Sequence, residues 1–242
     1  MTFSQAEART MILCHGYGGN AQIEQAVKSS GIVNARLVSF NFPDHDLKER
    51  GLLPEEMTFG TLNELLPAFE VLKREVIDGK LDAIDLYGFS AGGGVVVNLI
   101  AILNTGRFKS ELSEIGIGDE QRELLLCAIQ KGVVILDVPL KSVEEIVAFR
   151  GASPESDVLV QNYQKNCLRP IDSLYCLDGL KLNVVLNFQE NDEILSNRDD
   201  QLYIERLKWA NRCGTTTVII GNDGGHLFPH NSLWKAYSYQ IK

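Results

Sequence analysis

Leu86-Tyr87-Gly88-Phe89-Ser90-Ala91-Gly92-Gly93-Gly94 is the stretch whose reading decides the fold. Inside it, Gly88-Phe89-Ser90-Ala91-Gly92 is a G-x-S-x-G pentapeptide, set between an apolar run at 83–87 and another at 95–103. That context predicts a serine on a sharp turn between a buried strand and a helix, with its hydroxyl at the end of a sheet. Small residues must flank the serine, because a larger side chain would collide in so tight a turn. The pentapeptide alone is common; its weight depends on the rest of the chain.

Working outward, short apolar runs at 11–14, 37–42, 83–87, 133–138, 182–188 and 215–220 alternate with longer amphipathic segments. Continuous rather than alternating apolar runs predict strands covered on both faces, as in a parallel sheet. Asn20 is placed to cap a helix running to Ser30 and ended by Gly31. Thr61-Leu62-Asn63-Glu64 reads as a capping box, after which Leu65, Leu66, Phe69, Leu72 and Val76 extend one apolar face begun by Leu62. Pro67 should kink this helix or mark its start, and Gly79 should end it. A further helix is expected over about 198–212. The alternation predicts a single doubly wound α/β domain over 1–242, with a mostly parallel sheet of about six strands.

Two segments exceed a simple connection. Residues 105–132 contain an apolar helix near 122–129. Residues 139–181 are polar, helix-prone at 142–149 and loop-like at 151–157. The latter read either as a cap or lid over a site, or as one crossover helix with surface loops.

The 242 residues are 45% hydrophobic with a formal net charge of -9, and they carry no basic cluster, which argues against a nucleic-acid partner. The five cysteines (14, 127, 167, 176 and 213) are odd in number and lack C-x-x-C spacing. Reduced thiols in a cytoplasmic protein are expected, with no metal site. Four of them lie in apolar stretches and are expected in the core; Cys167 lies in a polar one. The first ten residues are polar, unlike a signal peptide. The longest apolar stretch, 95–103, is broken by Asn98 and falls far short of the ~20 residues a membrane span needs.

A nucleophilic serine requires a base, an orienting acid and donors for an oxyanion. The four histidines are 15, 45, 226 and 230. His226 follows two glycines just beyond the last strand run, where a loop can return the imidazole to the sheet edge that holds Ser90. His230, after Pro229, reads as the start of the final helix, and His45 as a solvated loop residue. The acid is expected after the 182–188 strand, where Glu190, Asp192 and Glu193 compete. Asp192 is favoured as the shorter side chain, mid-turn before Ile194. Asp137, at the end of another strand run, is a further alternative. The N–H of Ala91 at the helix start supplies one oxyanion donor. Residues 11–14 lead into His15-Gly16-Tyr17-Gly18-Gly19, and the Tyr17 N–H is the best second donor. There His15, Gly16 and Gly18 shape the loop. A phosphate-binding reading of that loop fails, because the chain has neither G-x-G-x-x-G nor G-K-[ST].

Taken together, the His15–Gly19 loop, the Ser90 elbow, Asp192 and His226 resemble the α/β-hydrolase superfamily, in its chain order Ser…Asp…His. The resemblance spans about residues 10–240, with a sheet shortened at its N-terminal edge. It implies a serine hydrolase that cleaves an ester or thioester of a small to medium acyl substrate, through an acyl-enzyme on Ser90 and without a cofactor. The same residues would serve an acyltransferase or lyase. A non-catalytic binding module on this fold is the remaining alternative.

Overall fold

The computed structural model describes residues 9–17, 19–29, 35–44, 56–151, 153–195, 197–222, 225–226 and 230–241. Gly18, Ser30, Gly31 and His45 lie outside them.

The chain order is β1 (Arg9–Cys14), α1 (Ile23–Ser29), β2 (Ala35–Ser39), α2 (Leu62–Lys73, prolonged by a π-turn over Arg74–Asp78) and β3 (Asp85–Phe89). Then come α3 (Ala91–Thr105), α4 (Lys109–Glu114), α5 (Asp119–Lys131) and β4 (Val134–Asp137). After these follow α6 (Val143–Arg150), α7 (Pro154–Asn166), α8 (Pro170–Ser173), β5 (Asn183–Gln189), α9 (Asp200–Ala210), β6 (Thr215–Gly221) and α10 (Asn231–Gln240). The six strands form one sheet in the order β2-β1-β3-β4-β5-β6. Every pairing is parallel.

Strand alternation sorts the apolar side chains onto two covered faces. Ile12, Cys14, Leu86, Leu136 and Leu186 join a core shared with α2, α3, α5 and α9. Met11, Leu13, Tyr87, Ile135 and Val185 point the other way, toward Ile23 and Val27 of α1 and Leu233 and Trp234 of α10. This two-sided burial is why the runs are continuous in the sequence. β6 departs from it: as an edge strand its threonines and Ile220 are exposed or half-buried.

α3 is buried from Ala91 to Leu103. Its one polar interior residue, Asn98, donates to the Leu168 carbonyl (2.7 Å) and accepts from the Ser173 hydroxyl (2.6 Å). That pairing removes the cost of burying an amide and ties the 168–173 segment to α3.

Several local expectations need correction. Thr61 precedes α2, but its N–H and hydroxyl both go to the Thr58 carbonyl, and Glu64 accepts the N–H of Gly60, so no capping box forms. Pro67 lies inside α2, which starts five positions earlier. Gly79 does end the segment, where a Cβ would come within 2.5 Å of the Glu75 carbonyl. Most of 151–157 is helical, because Ser153 caps α7 by accepting the Ser156 N–H and Pro154 takes the first turn. Among the cysteines only Cys14 is buried; Cys127, Cys167 and Cys213 are exposed and Cys176 is intermediate, and all five are free thiols. Cys127 sits on the outward side of an amphipathic helix, a face that its apolar neighbours in sequence do not reveal. Among the described residues no helix is long and apolar enough to cross a membrane.

Candidate active site

β3 delivers the chain to Ser90 and α3 carries it away. Ser90 has φ 53°, a left-handed conformation that costs energy for any residue with a Cβ. The turn is held from β4: Ser90 N–H donates to the Asp137 carbonyl (3.0 Å), and Ser90 O accepts the N–H of Leu140 (2.8 Å) and of Gly93 (2.9 Å). Val138, between those two β4-end residues, has φ 41°, an outlier for a β-branched side chain. The flanking glycines are required by close approach. A Cβ on Gly92 would run into the Cys14 carbonyl, and one on Gly88 would come within 2.5 Å of the Gly92 carbonyl. The sharpness of the elbow therefore rests on contacts of β1, β3 and β4 with the first turn of α3.

Ser90 Oγ lies 3.0 Å from His226 Nε2, and His226 Nδ1 lies 2.8 Å from Asp192 Oδ2. Ser90 and His226 are only 8% and 4% exposed. Asp192 Oδ1 accepts the backbone N–H groups of Ile194 (2.8 Å) and Leu195 (2.7 Å). Burial acts to raise the Asp192 pKa, but the hydrogen bond from His226 and these backbone donors outweigh it, and the carboxyl lies below its ordinary value. An ionised Asp192 only accepts, so His226 Nδ1 carries the hydrogen and the Nε2 lone pair faces the Ser90 hydroxyl.

The competing carboxylates are separated by what they touch. Glu193 Oε2 accepts the backbone N–H of His226 (3.0 Å), so it holds the loop rather than the ring. Glu190 is exposed. Asp137 is fully buried and pairs with His230 instead, Oδ1 to Nδ1 at 2.7 Å. His230 does stand at the start of the final helix, yet it is also buried in this pair, which its place after Pro229 gave no sign of.

The His15–Gly19 loop packs against the elbow. His15 is buried; its Nδ1 donates to the Gly16 carbonyl (2.8 Å) and its Nε2 accepts the Phe42 N–H (3.3 Å), which fixes a neutral tautomer in a structural position. A Cβ on Gly16 would stand 3.2 Å from Ser90 Cβ. Gly16, Tyr17, Ser90, Ala91 and His226 border one cavity of about 150 Å³. Its apolar side comes from Leu140, Phe149, Ile194 and Leu195. None of these four was expected from sequence to line a cavity; Ile194 was named only as the apolar residue after the acid. Ile194 and Leu195 lie two and three residues after the acid, and Leu140 three residues past the end of β4, so position after a strand was the available signal. Among the described residues no three His, Cys, Asp or Glu side chains converge as metal ligands.

No family model matches the chain, and no curated protein matches it in sequence. Solved structures do. Esterase B from Lactobacillus rhamnosis superposes with TM-score 0.64 at 16% identity, covering 98% of this chain and 79% of that one. A lipase/esterase from Lactobacillus plantarum gives 0.60 at 14%, covering 97% and 85%. The Pyrococcus furiosus esterase Pf2001 gives 0.54 at 14%, covering 98% and 78%. At such identities the likeness establishes architecture. The protein has an α/β fold with an all-parallel, doubly wound sheet, and that fold is the α/β-hydrolase fold.

Proposed function

We propose that this protein is a serine hydrolase that cleaves an ester or thioester of a small acyl substrate through an acyl-enzyme on Ser90. The observation that carries the reading is the unbroken line from Ser90 Oγ to His226 Nε2 (3.0 Å) and from His226 Nδ1 to Asp192 (2.8 Å). His226 takes the Ser90 proton as Oγ attacks the carbonyl carbon, and the resulting imidazolium is stabilised by Asp192. The N–H groups of Ala91 and Tyr17 are the donors for the tetrahedral oxyanion; both residues border the cavity with Ser90. His226 then protonates the leaving alcohol or thiol. Water attacks the acyl-enzyme by the same route, releasing the acid and restoring Ser90.

Cavity size favours a short acyl group: about 150 Å³ is below the ~300 Å³ at which pockets for drug-sized ligands begin. Residues 139–181 act as a small cap on the single domain, since Leu140 and the 54%-exposed Phe149 wall the cavity from that segment. Lipase/esterase-like solved structures of the same fold support the class of reaction.

The test is a p-nitrophenyl ester panel from acetate to decanoate, on wild type and Ser90→Ala. Hydrolysis strongest at two to four carbons and abolished by the substitution is expected. Equal rates in the two proteins would exclude Ser90 as nucleophile.

A further inference from the structure

The mechanism above leaves unused a second buried acid–imidazole pair, Asp137 and His230, both fully inaccessible. Asp137 Oδ1 meets His230 Nδ1 at 2.7 Å and also accepts from Asn187 Nδ2 (2.7 Å). Asp137 Oδ2 accepts from the Tyr87 hydroxyl (2.7 Å). Gln189 Nε2 in turn donates to Asn187 Oδ1 (3.2 Å). The carboxylate is thus fixed from β3, β5 and the start of α10 at once. The other nitrogen of His230, Nε2, donates to the Gly225 carbonyl at 3.1 Å.

Gly225 is the residue before His226, and Asp137 is the residue whose carbonyl receives the Ser90 N–H. The bonds therefore close a circuit. It runs from the Ser90 backbone to Asp137, through the carboxylate to His230, on to Gly225, and back through the His226 ring to Ser90 Oγ. Both residues that must meet for proton transfer are thus tied to one residue: Ser90 to the main-chain carbonyl of Asp137, and the His226 loop, through His230, to its carboxylate. A buried ion pair is no strong source of stability, since apolar replacements of equal volume are often neutral. Its value here is register: the His226 loop follows an edge strand, and His230 ties it to the strand β4, well inside the sheet.

We propose that Asp137 and His230 are positioning residues that set the Ser90–His226 distance; the inference rests on the hydrolase reading of those two residues. Removing the His230–Gly225 bond frees the carbonyl of the Gly225–His226 peptide, leaving only Glu193 on the N–H of that same peptide. A misplacement of about 1 Å between reacting groups can cost on the order of 100-fold in rate, so loss of this positioning bond is expected to cost about 10- to 100-fold.

The test compares wild type with His230→Asn. The shorter amide can still donate to Asp137 but cannot reach Gly225, so the buried carboxylate keeps a partner. Two readouts are taken on each folded protein: the rate of Ser90 labelling by a fluorophosphonate, and kcat and KM for p-nitrophenyl acetate. Labelling and kcat are expected to fall together by about 10- to 100-fold with KM within about twofold. Trp234→Phe, which removes part of the Trp234 stack on Tyr87 (centroids 5.2 Å apart), is the packing control, with the labelling rate of the folded protein unchanged. Wild type that resists the probe overturns the hydrolase reading and this inference with it. Labelled wild type with an equally fast His230→Asn, or a change confined to KM, overturns the inference alone. If His230→Asn does not fold, Tyr87→Phe removes one donor from Asp137 instead. A fall of a few-fold in labelling supports the proposal, and an unchanged rate refutes it.

Discussion

Glu64→Gln should stabilise the protein, and increasingly so as pH rises. Glu64 sits in the first turn of α2, fully buried, with the Gly60 N–H on Oε2 (2.7 Å) and no partner on Oε1. Burial pushes its pKa from an ordinary 4.5 up to about 8; the Gly60 bond opposes this, and the Asp44 charge adds to it. The folded chain therefore keeps a proton on Glu64 between pH 4.5 and about 8 while the unfolded chain releases it. With more protons bound in the folded state, stability falls as pH rises through that window and is fully present only below 4.5. One differential proton changes stability by about 1.4 kcal/mol per pH unit. From about pH 5.5 to 7.5 the wild type should thus lose roughly 2.5 kcal/mol that Gln, neutral and of the same shape, does not lose. Urea denaturation of both proteins at half-unit intervals measures the difference. A Gln variant whose advantage stays flat with pH, or that is less stable than wild type at pH 7.5, would refute the account.

Asp192→Asn keeps the shape of the acid but not the His226 tautomer, and should lower kcat by about 10⁴-fold in an ester assay with little change in Tm. Gly92→Ala forces a methyl against the Cys14 and His15 carbonyls, so a loss of about 1–3 kcal/mol is expected in thermal denaturation, with activity falling as the elbow shifts. Lys141→Met strands Glu145 and Asp200, whose carboxylates lie 2.8 and 2.7 Å from the buried Nζ; denaturation should show a cost of about 3–5 kcal/mol. Phe149→Ala opens the cavity wall, and the preferred acyl chain in the ester panel should lengthen by two or more carbons.

The legibility of this chain followed the range of the forces involved. The four inner strands were readable because burial on both faces leaves runs such as Met11-Ile12-Leu13-Cys14, whose alternate members enter different cores, while the edge strand β6 was readable from its run of β-branched residues. The elbow was readable because close approach leaves glycine as the only choice at 88 and 92. Signals failed where a partner was distant or a neighbour intervened. The Thr61 cap was lost to Thr58, three residues back, a competition that a four-residue pattern does not contain.

The two acids make the same point about the site. A local signal did exist for Asp192: an aspartate that accepts the N–H groups two and three residues ahead is a turn-forming habit of that side chain, and it leaves one oxygen facing outward to His226. Neither glutamate beside it has that short reach. Asp137 and His230 are 93 residues apart and only the sheet order, with β4 beside both β3 and β5, brings Tyr87, Asn187 and the start of α10 around one carboxylate. Just past Asp137, the strained Val138 turns the chain toward Ser90. Strain at Ser90 and at Val138 is stored on the two strand ends joined by the Ser90–Asp137 and Leu140–Ser90 hydrogen bonds. Such a pair of unfavourable backbones persists only if surrounding contacts over-determine it. Asp137, held by Tyr87, Asn187 and His230, sits at that junction, so the least legible pair in the sequence adjoins its most legible motif.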